Sequence, residues 1–243
     1  MAHGFTQTGR LWGSMDGDLA TDHQVVRVDM PGHGDSARVT ASLTDGALLL
    51  GDAGGKGVYL GYSMGARFCM HLALARPESV VGLVLISGTG GIEDSDERRH
   101  RRESDQELAD QLDPPDGRRP MPVAAFLRRW LDKPMFADIS PAATAFEERL
   151  RNTGPGLASS LRLAGTGTQQ PLWHSLAGLA VPVLIISGAL DPKFTALGRR
   201  LAGSFGANAT HVVVDGAGHA PHLQRPATVA DLVRSHLGIS TRP

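Results

Sequence analysis

The sequence predicts an α/β fold with a mainly parallel sheet. Short apolar runs of strand length alternate with longer segments of helical period, a pattern typical of strands joined by crossover helices. The strand candidates are nearly continuous in Val, Ile and Leu, as expected for strands that are buried on both faces. Five strands are predicted, over residues 25–29, 57–62, 81–87, 183–187 and 210–214.

Between and after these strands the apolar residues repeat with a helical period, which predicts helices over residues 43–53, 64–75, 196–205 and 227–237. The segment 92–176 differs, because it opens with a dense charge run at 93–110 and contains no strand candidate. Its predicted helices cover residues 94–112, 123–131, 141–152 and 156–164. We interpret residues 92–176, called the cap segment below, as an all-helical cap over the carboxyl edge of the sheet, inserted into a single domain of residues 1–243.

The composition narrows the function classes. The 24 Lys and Arg residues nearly cancel the 25 Asp and Glu residues, so the net charge of −1 gives no reason to expect nucleic acid or an anionic membrane as a partner. The apolar runs are too short to span a bilayer, and no secretion signal is recognisable. The single cysteine, Cys69, excludes an intramolecular disulfide and suits a reducing cytoplasm. We expect a cytoplasmic protein; the oligomeric state stays open, with a monomer expected.

A candidate nucleophile lies in Gly61-Tyr62-Ser63-Met64-Gly65, a G-x-S-x-G motif between a predicted strand and a predicted helix. In that context the serine occupies a tight, strained turn that holds its Oγ above the sheet. The flanking glycines permit the turn, since a Cβ would collide there. We therefore predict that Ser63 is catalytic.

A serine hydroxyl needs a base, and the base needs an acid that orients it. His219 follows the predicted strand 210–214 on a glycine-rich loop, and Asp191 follows the strand 183–187. The order serine, aspartate, histidine is that of an α/β-hydrolase triad. Two rivals stay open: Asp215 as the acid, although its place at the strand end makes reaching His219 awkward, and His222 as the base.

A second group of motifs concerns the oxyanion site and cofactors. His3-Gly4-Phe5 resembles an oxyanion loop, in which the backbone N–H of Phe5 joins that of Met64 to hold a developing negative charge. His33, in a nearby loop rich in Pro and Gly, is interpreted as structural.

The sequence contains no zinc-ligand spacing, dinucleotide fingerprint or P-loop, so neither a metal nor an organic cofactor is expected.

Together these motifs identify the chain as similar, over its whole length, to the α/β-hydrolase superfamily. Within it, the chain most resembles the 2-succinyl-6-hydroxy-2,4-cyclohexadiene-1-carboxylate synthases of menaquinone biosynthesis. The more selective segments are Arg67 four residues after the serine, the W-x3-P-x-F pattern from Trp130 to Phe136, Leu150-Arg151-Asn152 and Asp191-Pro192-Lys193-Phe194.

The resemblance implies a carbon-oxygen lyase rather than an ester hydrolase. In that family the triad is implied to abstract a ring proton, after which pyruvate leaves from an enolpyruvyl ether. The small-molecule substrate is polyanionic, and arginines suit its carboxylates because they form bidentate, charge-assisted hydrogen bonds. The implied substrate-binding residues are His3, Arg67, Arg102 (or its neighbour Arg101), Trp130, Phe136 and Arg151.

One feature departs from the family pattern: only Met1 and Ala2 precede His3. The central strand before the oxyanion loop would have no residues, and the strand 25–29 would lack its neighbour. We therefore expect missing N-terminal strands and a natural start further upstream. Two other functions stay open, namely a serine-dependent carboxylic ester or carbon-carbon bond hydrolase, and a truncated, inactive or ligand-binding relative.

Overall fold

A four-stranded sheet forms the centre of the computed structural model, which describes residues 1–238. All neighbouring strands are parallel, and their spatial order follows the chain order. The strands are β1 (Gly57–Tyr62), β2 (Val80–Ile86), β3 (Val183–Gly188) and β4 (Ala209–Val214). Four of the five predicted strands are confirmed to within one residue at each end.

Eleven α-helices are present in residues 1–238. They are α1 (Met15–Leu19), α2 (Leu43–Gly54), α3 (Met64–Ala75), α4 (Ser95–Leu112), α5 (Val123–Leu131), α6 (Pro141–Thr144), α7 (Phe146–Arg149), α8 (Gly154–Ala164), α9 (Pro192–Phe205), α10 (Pro221–Gln224) and α11 (Pro226–His236). Helix α9 begins four residues before its predicted start, because Asp191 accepts the N–H of Phe194 as its cap and Pro192 suits the first turn. None of the helices within this part of the chain has the length and apolar character to cross a membrane.

Helices α4 to α8 occupy the stretch between β2 and β3, where the sequence predicts the cap segment. Helix α4 starts at a strong cap, since the Asp94 carboxylate accepts the N–H groups of Asp96 and Glu97. The single helix predicted over 141–152 is wrong. Ala145 adopts a left-handed conformation with φ 45°, which ends α6 at Thr144 and separates it from α7. The carbonyl of Thr144 instead accepts a hydrogen bond from Arg149.

Ala2 pairs with the chain on both of its sides, at the N-terminal side of the sheet. Ala2 bridges in parallel to both Val28 and Gly61, and its N–H and C=O bond to Leu60 and Tyr62 at 2.8 and 3.0 Å. The position beside Val28 that was expected to be vacant is therefore filled at the level of the candidate site. The strand predicted over 25–29 is wrong, because only Val28 makes a bridge.

Two apolar layers enclose the sheet. Alternate residues of β2 point to opposite faces: Leu83 and Leu85 join a cluster with α2, α3 and α9, while Val84 and Ile86 join one with α1 and α11. A third cluster joins α4, α5 and α8 in the cap segment. The carboxyl ends of the strands face the cap segment. The predicted triad residues lie just beyond these strand ends.

The turn between β1 and α3 depends on backbone contact. A Cβ at Gly65 would overlap the carbonyl oxygen of Ala2, and one at Gly61 would overlap the backbone of Gly65 and Ala66. Helix α3 therefore lies directly against the N-terminal residues, which only glycine permits.

This contact predicts that Gly65→Ala destabilises the fold by about 3 kcal/mol, the upper part of the usual range for overpacking. Urea unfolding gives the free energy of unfolding. Gly57→Ala is the matched control, because its added Cβ would meet no heavy atom within 4 Å; its effect should stay within about 0.5 kcal/mol. Equal stability of the two variants would contradict the close approach.

Candidate active site

Ser63 occupies the turn between β1 and α3 in a strained conformation, with φ 51° and ψ −103°. Its N–H donates to the Ile86 carbonyl at 2.8 Å, which ties the turn to the end of β2. A non-glycine residue at positive φ is uncommon, and such strain clusters at functional sites. The turn presents the Ser63 side chain to a large cavity.

Three residues predicted from three separate segments meet here. The Oγ of Ser63 lies 3.2 Å from Nε2 of His219, and Nδ1 of His219 lies 2.9 Å from Oδ2 of Asp191. The network assigns the tautomer: Nδ1–H donates to Asp191, and Nε2 accepts from the serine hydroxyl. The other oxygen of Asp191 caps α9 through the N–H of Phe194, so the carboxylate is held in place from both sides.

The protonation states suit a general base. Burial lowers the pKa of His219 more than the hydrogen bond and charge of Asp191 raise it, so the imidazole is neutral at pH 7. Burial opposes ionisation of Asp191, but the hydrogen bonds from His219 and Phe194 outweigh it and the pKa of Asp191 is lowered. A neutral imidazole can accept a proton, while the carboxylate orients it.

The rival residues lie elsewhere. Asp215 is exposed just past the end of β4, and Asp191 holds the nitrogen that Asp215 would have to reach. His222 is fully buried between Tyr62 and Trp12, at ring centroid distances of 4.3 and 5.2 Å. In the described part of the chain, neither rival forms a hydrogen bond with Ser63 or His219.

Two backbone N–H groups are free to serve as the predicted oxyanion donors. In the turn formed by residues 4–7, the N–H and C=O of Gly4 bond to Gln7, whereas the N–H of Phe5 has no acceptor in the described chain. Met64 is the first residue of α3, so its N–H has no partner in the preceding turn. Phe5 and Met64 line the same cavity as Ser63.

The cavity has a volume of about 610 Å³ and lies between the cap segment and the strand ends. Its charged lining carries four cations, namely Arg67, Arg101, Lys133 and Lys193, and three acids, namely Asp105, Asp138 and Asp191. Asp105 and Arg101 pair with each other at 2.9 Å, and Asp191 holds His219. Three cations, Arg67, Lys133 and Lys193, then stand against one acid, Asp138. The cavity therefore favours an anionic ligand.

The predicted arginines divide into two groups. Arg67 is buried, lines the cavity and donates to the carbonyl of Gly165 at 3.3 Å. Burial and the neighbouring charge of Arg101 lower the pKa of Arg67 to about 10, which leaves it charged at pH 7. Arg101, not Arg102, faces the cavity; Arg102 is exposed and bonds to the carbonyl of Gly167. Arg151 lies outside the cavity.

Arg151 and His3 bind other parts of the protein rather than facing the cavity. Arg151 forms an ion pair with Asp35 at 2.5 Å, which joins the cap segment to an exposed loop. His3 is fully buried, accepts the N–H of Met30 at Nε2 and donates to the carbonyl of Gly4. Both ring nitrogens are used within the fold, so His3 is not available to a ligand.

The predicted aromatic residues do lie at the site. Trp130 lines the cavity and carries Lys133 over its ring at 3.8 Å. Phe136 packs edge-on against the ring of His219 at 6.0 Å. Both rings also border a small recess of about 30 Å³ that opens beside Ser63 and His219.

The sequence reasoning missed Arg149, which borders this recess. Its side chain is 2 % exposed, and no acid in residues 1–238 pairs with it. It donates instead to the carbonyl of Thr144 and to the hydroxyl of Thr6. Burial lowers the pKa of Arg149 to about 10, so it stays charged at pH 7. The signal for it was available in the Arg149-Leu150-Arg151 run, but only the break between α6 and α7 decides which arginine turns inward.

Comparison with known proteins agrees with this architecture. The sequence profile of the alpha/beta hydrolase family matches residues 1–232. The 2-succinyl-6-hydroxy-2,4-cyclohexadiene-1-carboxylate synthase of Enterobacter sp. (strain 638) is 30 % identical, over 94 % of this chain and 86 % of that protein. A protein of Bacillus subtilis (strain 168), which carries the same synthase name provisionally, is 32 % identical over 97 % of this chain and 88 % of its own length.

Solved structures give the same result. The structure of MenH from S. aureus superimposes with a TM-score of 0.86 at 26 % sequence identity, and the match covers 98 % of this chain and 91 % of that one. A thermophilic esterase from Thermogutta terrifontis shares the fold, with a TM-score of 0.77 at 21 % identity, over 98 % and 88 % of the two chains.

The lowered pKa of His219 predicts the pH dependence of Ser63 reactivity. A fluorophosphonate should label Ser63 at a rate that follows the neutral fraction of His219. Because the pKa is below the ordinary 6.5, the neutral form persists to lower pH and the half-maximal rate should fall below pH 6.5. Ser63→Ala, which removes the labelled oxygen, is the blank. A midpoint at or above pH 6.5 would show that the effect of Asp191 on the pKa of His219 outweighs that of burial, and would contradict the prediction.

Proposed function

The chain belongs to the alpha/beta hydrolase family and, within it, to the 2-succinyl-6-hydroxy-2,4-cyclohexadiene-1-carboxylate synthases; from this premise we propose that it forms that product by eliminating pyruvate from an enolpyruvyl precursor. The observation that carries the proposal is the arrangement of Ser63, His219 and Asp191 beside a cation-lined cavity. An enzyme for apolar esters has little need of buried arginines next to its serine.

The proposed reaction begins with a proton transfer. The Ser63 oxygen takes the acidic ring proton of the substrate while its own proton passes to Nε2 of His219, and Asp191 stabilises the imidazolium. The electron pair left on carbon delocalises onto the adjacent carbonyl oxygen, where the N–H groups of Phe5 and Met64 would hold the charge. The carbon-oxygen bond to the enolpyruvyl group then breaks and a ring double bond forms. The departing enolate becomes pyruvate by taking up the proton held on the imidazolium of His219, which restores the neutral base.

Substrate recognition follows from the charges. Arg67, Arg101 and Arg149 present guanidinium groups from three different segments, and guanidinium binds a carboxylate more strongly than a neutral donor does. We propose that these three residues hold the carboxylates, with Trp130 and Phe136 against the ring. This replaces the expectation for Arg102, Arg151 and His3, which lie outside the cavity.

The organisation of the chain fits the same reaction. We propose that residues 1–243 form one hydrolase domain in which the cap segment closes the cavity over the substrate, a placement supported by the five helices between β2 and β3. The small anionic substrate and the reducing environment suited to Cys69 support a cytoplasmic enzyme.

Pyruvate release from the enolpyruvyl substrate tests the proposal, measured by coupling to lactate dehydrogenase. Ser63→Ala should lower kcat at least about 100-fold, the lower end of the range for a lost acid–base group. Arg67→Met should lower kcat/KM by about 10- to 100-fold, which corresponds to one charge-assisted hydrogen bond of about 1.5–3 kcal/mol.

Arg99→Met is the matched control, since this exposed arginine of α4 forms ion pairs with Asp96 and Glu103 and does not line the cavity; its kinetics should equal those of the wild type. Fast hydrolysis of p-nitrophenyl esters without pyruvate release would favour the serine hydrolase instead. A folded protein with neither activity would favour the ligand-binding relative.

A further inference from the structure

Thr6 is strained although it has no direct part in the proposed chemistry. It directly follows Phe5, it is fully buried, and its φ is 67°. A β-branched residue in the left-handed region is an outlier, and such a conformation costs about 1–3 kcal/mol. It persists only where the surrounding structure enforces it.

All three polar groups of Thr6 are engaged. Its N–H donates to Nε2 of His33 at 3.3 Å, its hydroxyl accepts from Arg149 at 2.6 Å, and its carbonyl accepts from Nδ2 of Asn152 at 2.8 Å. Two of these three partners belong to the cap segment. The conformation of the oxyanion loop is therefore enforced from the cap segment.

Asn152 connects more segments of the chain than Arg149 does. Its side chain is buried, and the same Nδ2 also donates to the carbonyl of Arg149 at 2.9 Å. Its Oδ1 accepts the N–H of Gly34 at 3.0 Å. One carboxamide thus joins the loop of residues 4–7, the loop around Gly34 and the last turn after α7, with its donors and its acceptor all used.

We propose that Asn152 is a positioning residue that holds Thr6 at positive φ and thereby aims the N–H of Phe5 at the oxyanion. The inference rests on the proposed role of Phe5 as an oxyanion donor. Without the carboxamide, Thr6 relaxes toward negative φ and shifts the backbone of Phe5. A displacement of about 1 Å at a catalytic donor can cost about 100-fold in rate. The docking of the cap segment therefore sets the geometry of the oxyanion site.

The test replaces Asn152 and separates rate from affinity. Asn152→Ala should lower kcat for pyruvate release about 10- to 100-fold, with KM changed by no more than about threefold, because the oxyanion donor acts mainly in the transition state. Asn152→Asp retains the shape and the acceptor but cannot donate to Thr6, and it should show the same loss if the alanine variant fails to fold. Circular dichroism and melting confirm the folded state.

Asp35→Asn is the matched control. It removes the exposed ion pair to Arg151, which also joins the cap segment to this part of the fold, but it does not touch Thr6. Its kcat should equal that of the wild type. A loss equal to that of Asn152→Ala would attribute the effect to general docking of the cap segment and would overturn the assignment of Asn152.

A second substitution tests the strain itself. Glycine adopts positive φ without penalty, so Thr6→Gly in the Asn152→Ala background should recover at least about threefold in kcat. A role of Asn152 in packing alone predicts no recovery. Wild-type kcat in Asn152→Ala and Asn152→Asp, or no recovery by glycine, would overturn the proposal.

The rate of fluorophosphonate labelling of Ser63 separates this inference from the proposed reaction, since labelling needs the oxyanion donors but not the physiological substrate. A wild-type protein that is labelled but releases no pyruvate would end the proposed function, while slower labelling of the Asn152 variants would still support the positioning role. Failure of the wild type to be labelled would overturn the positioning role, because no competent oxyanion site would exist.

Discussion

The close approach of helix α3 to the N-terminal residues is the constraint on which the site depends. Gly65 meets the carbonyl of Ala2 without a side chain between them, and Ser63 accepts a φ of 51° so that the helix can start at once. Strain of this kind costs about 1–3 kcal/mol and persists only where packing enforces it. The buried side chains of α3, which form much of the largest apolar cluster, supply that packing. The same contact brings the free N–H groups of Phe5 and Met64 to one cavity with Ser63, so the packing of the turn also sets the geometry of the candidate active site.

Two buried arginines near this turn give the candidate site a positive charge that an anionic ligand could neutralise. Within residues 1–238, Arg67 and Arg149 are buried without an acidic partner, and desolvation lowers the pKa of each to about 10, still far above neutral. An unpaired buried cation is unfavourable until an anion arrives, so the binding of carboxylates relieves a cost already present in the free protein. The same surroundings keep His219 neutral, because burial and the charge of Lys193 both oppose its protonation. A neutral base beside fixed cations can take a proton from a polyanionic substrate without first losing one of its own.

Much of the fold and the three interacting residues could be predicted from the sequence, because each depends on local signals. The strands follow from continuous apolar runs, and Ser63, Asp191 and His219 each stand directly after one. The errors come from tertiary contacts that leave no local pattern. Val28 pairs only where Ala2 reaches it. The helix predicted over 141–152 breaks at Ala145, and the break lets Arg149 turn inward to Thr6 and Thr144. For the same reason the sequence points to Arg151 and Arg102, whereas the structure places Arg149 and Arg101 at the site.

The triad alone does not decide between elimination and ester hydrolysis, since both reactions place negative charge on a carbonyl oxygen of the substrate. A tetrahedral adduct and an enolate can use the same two N–H donors. The choice depends on which atom of the substrate is presented to Ser63, a carbonyl carbon or an acidic C–H. The cavity wall determines which atom is presented, and this wall carries guanidinium groups from α3, α4 and the last residue of α7. In the proposed function these groups hold carboxylates at fixed positions and orient a rigid polyanionic ring, whereas a flexible apolar ester finds no partner among them. On that proposal, specificity resides in the elements that position the arginines, above all the cap segment, rather than in the serine that they surround.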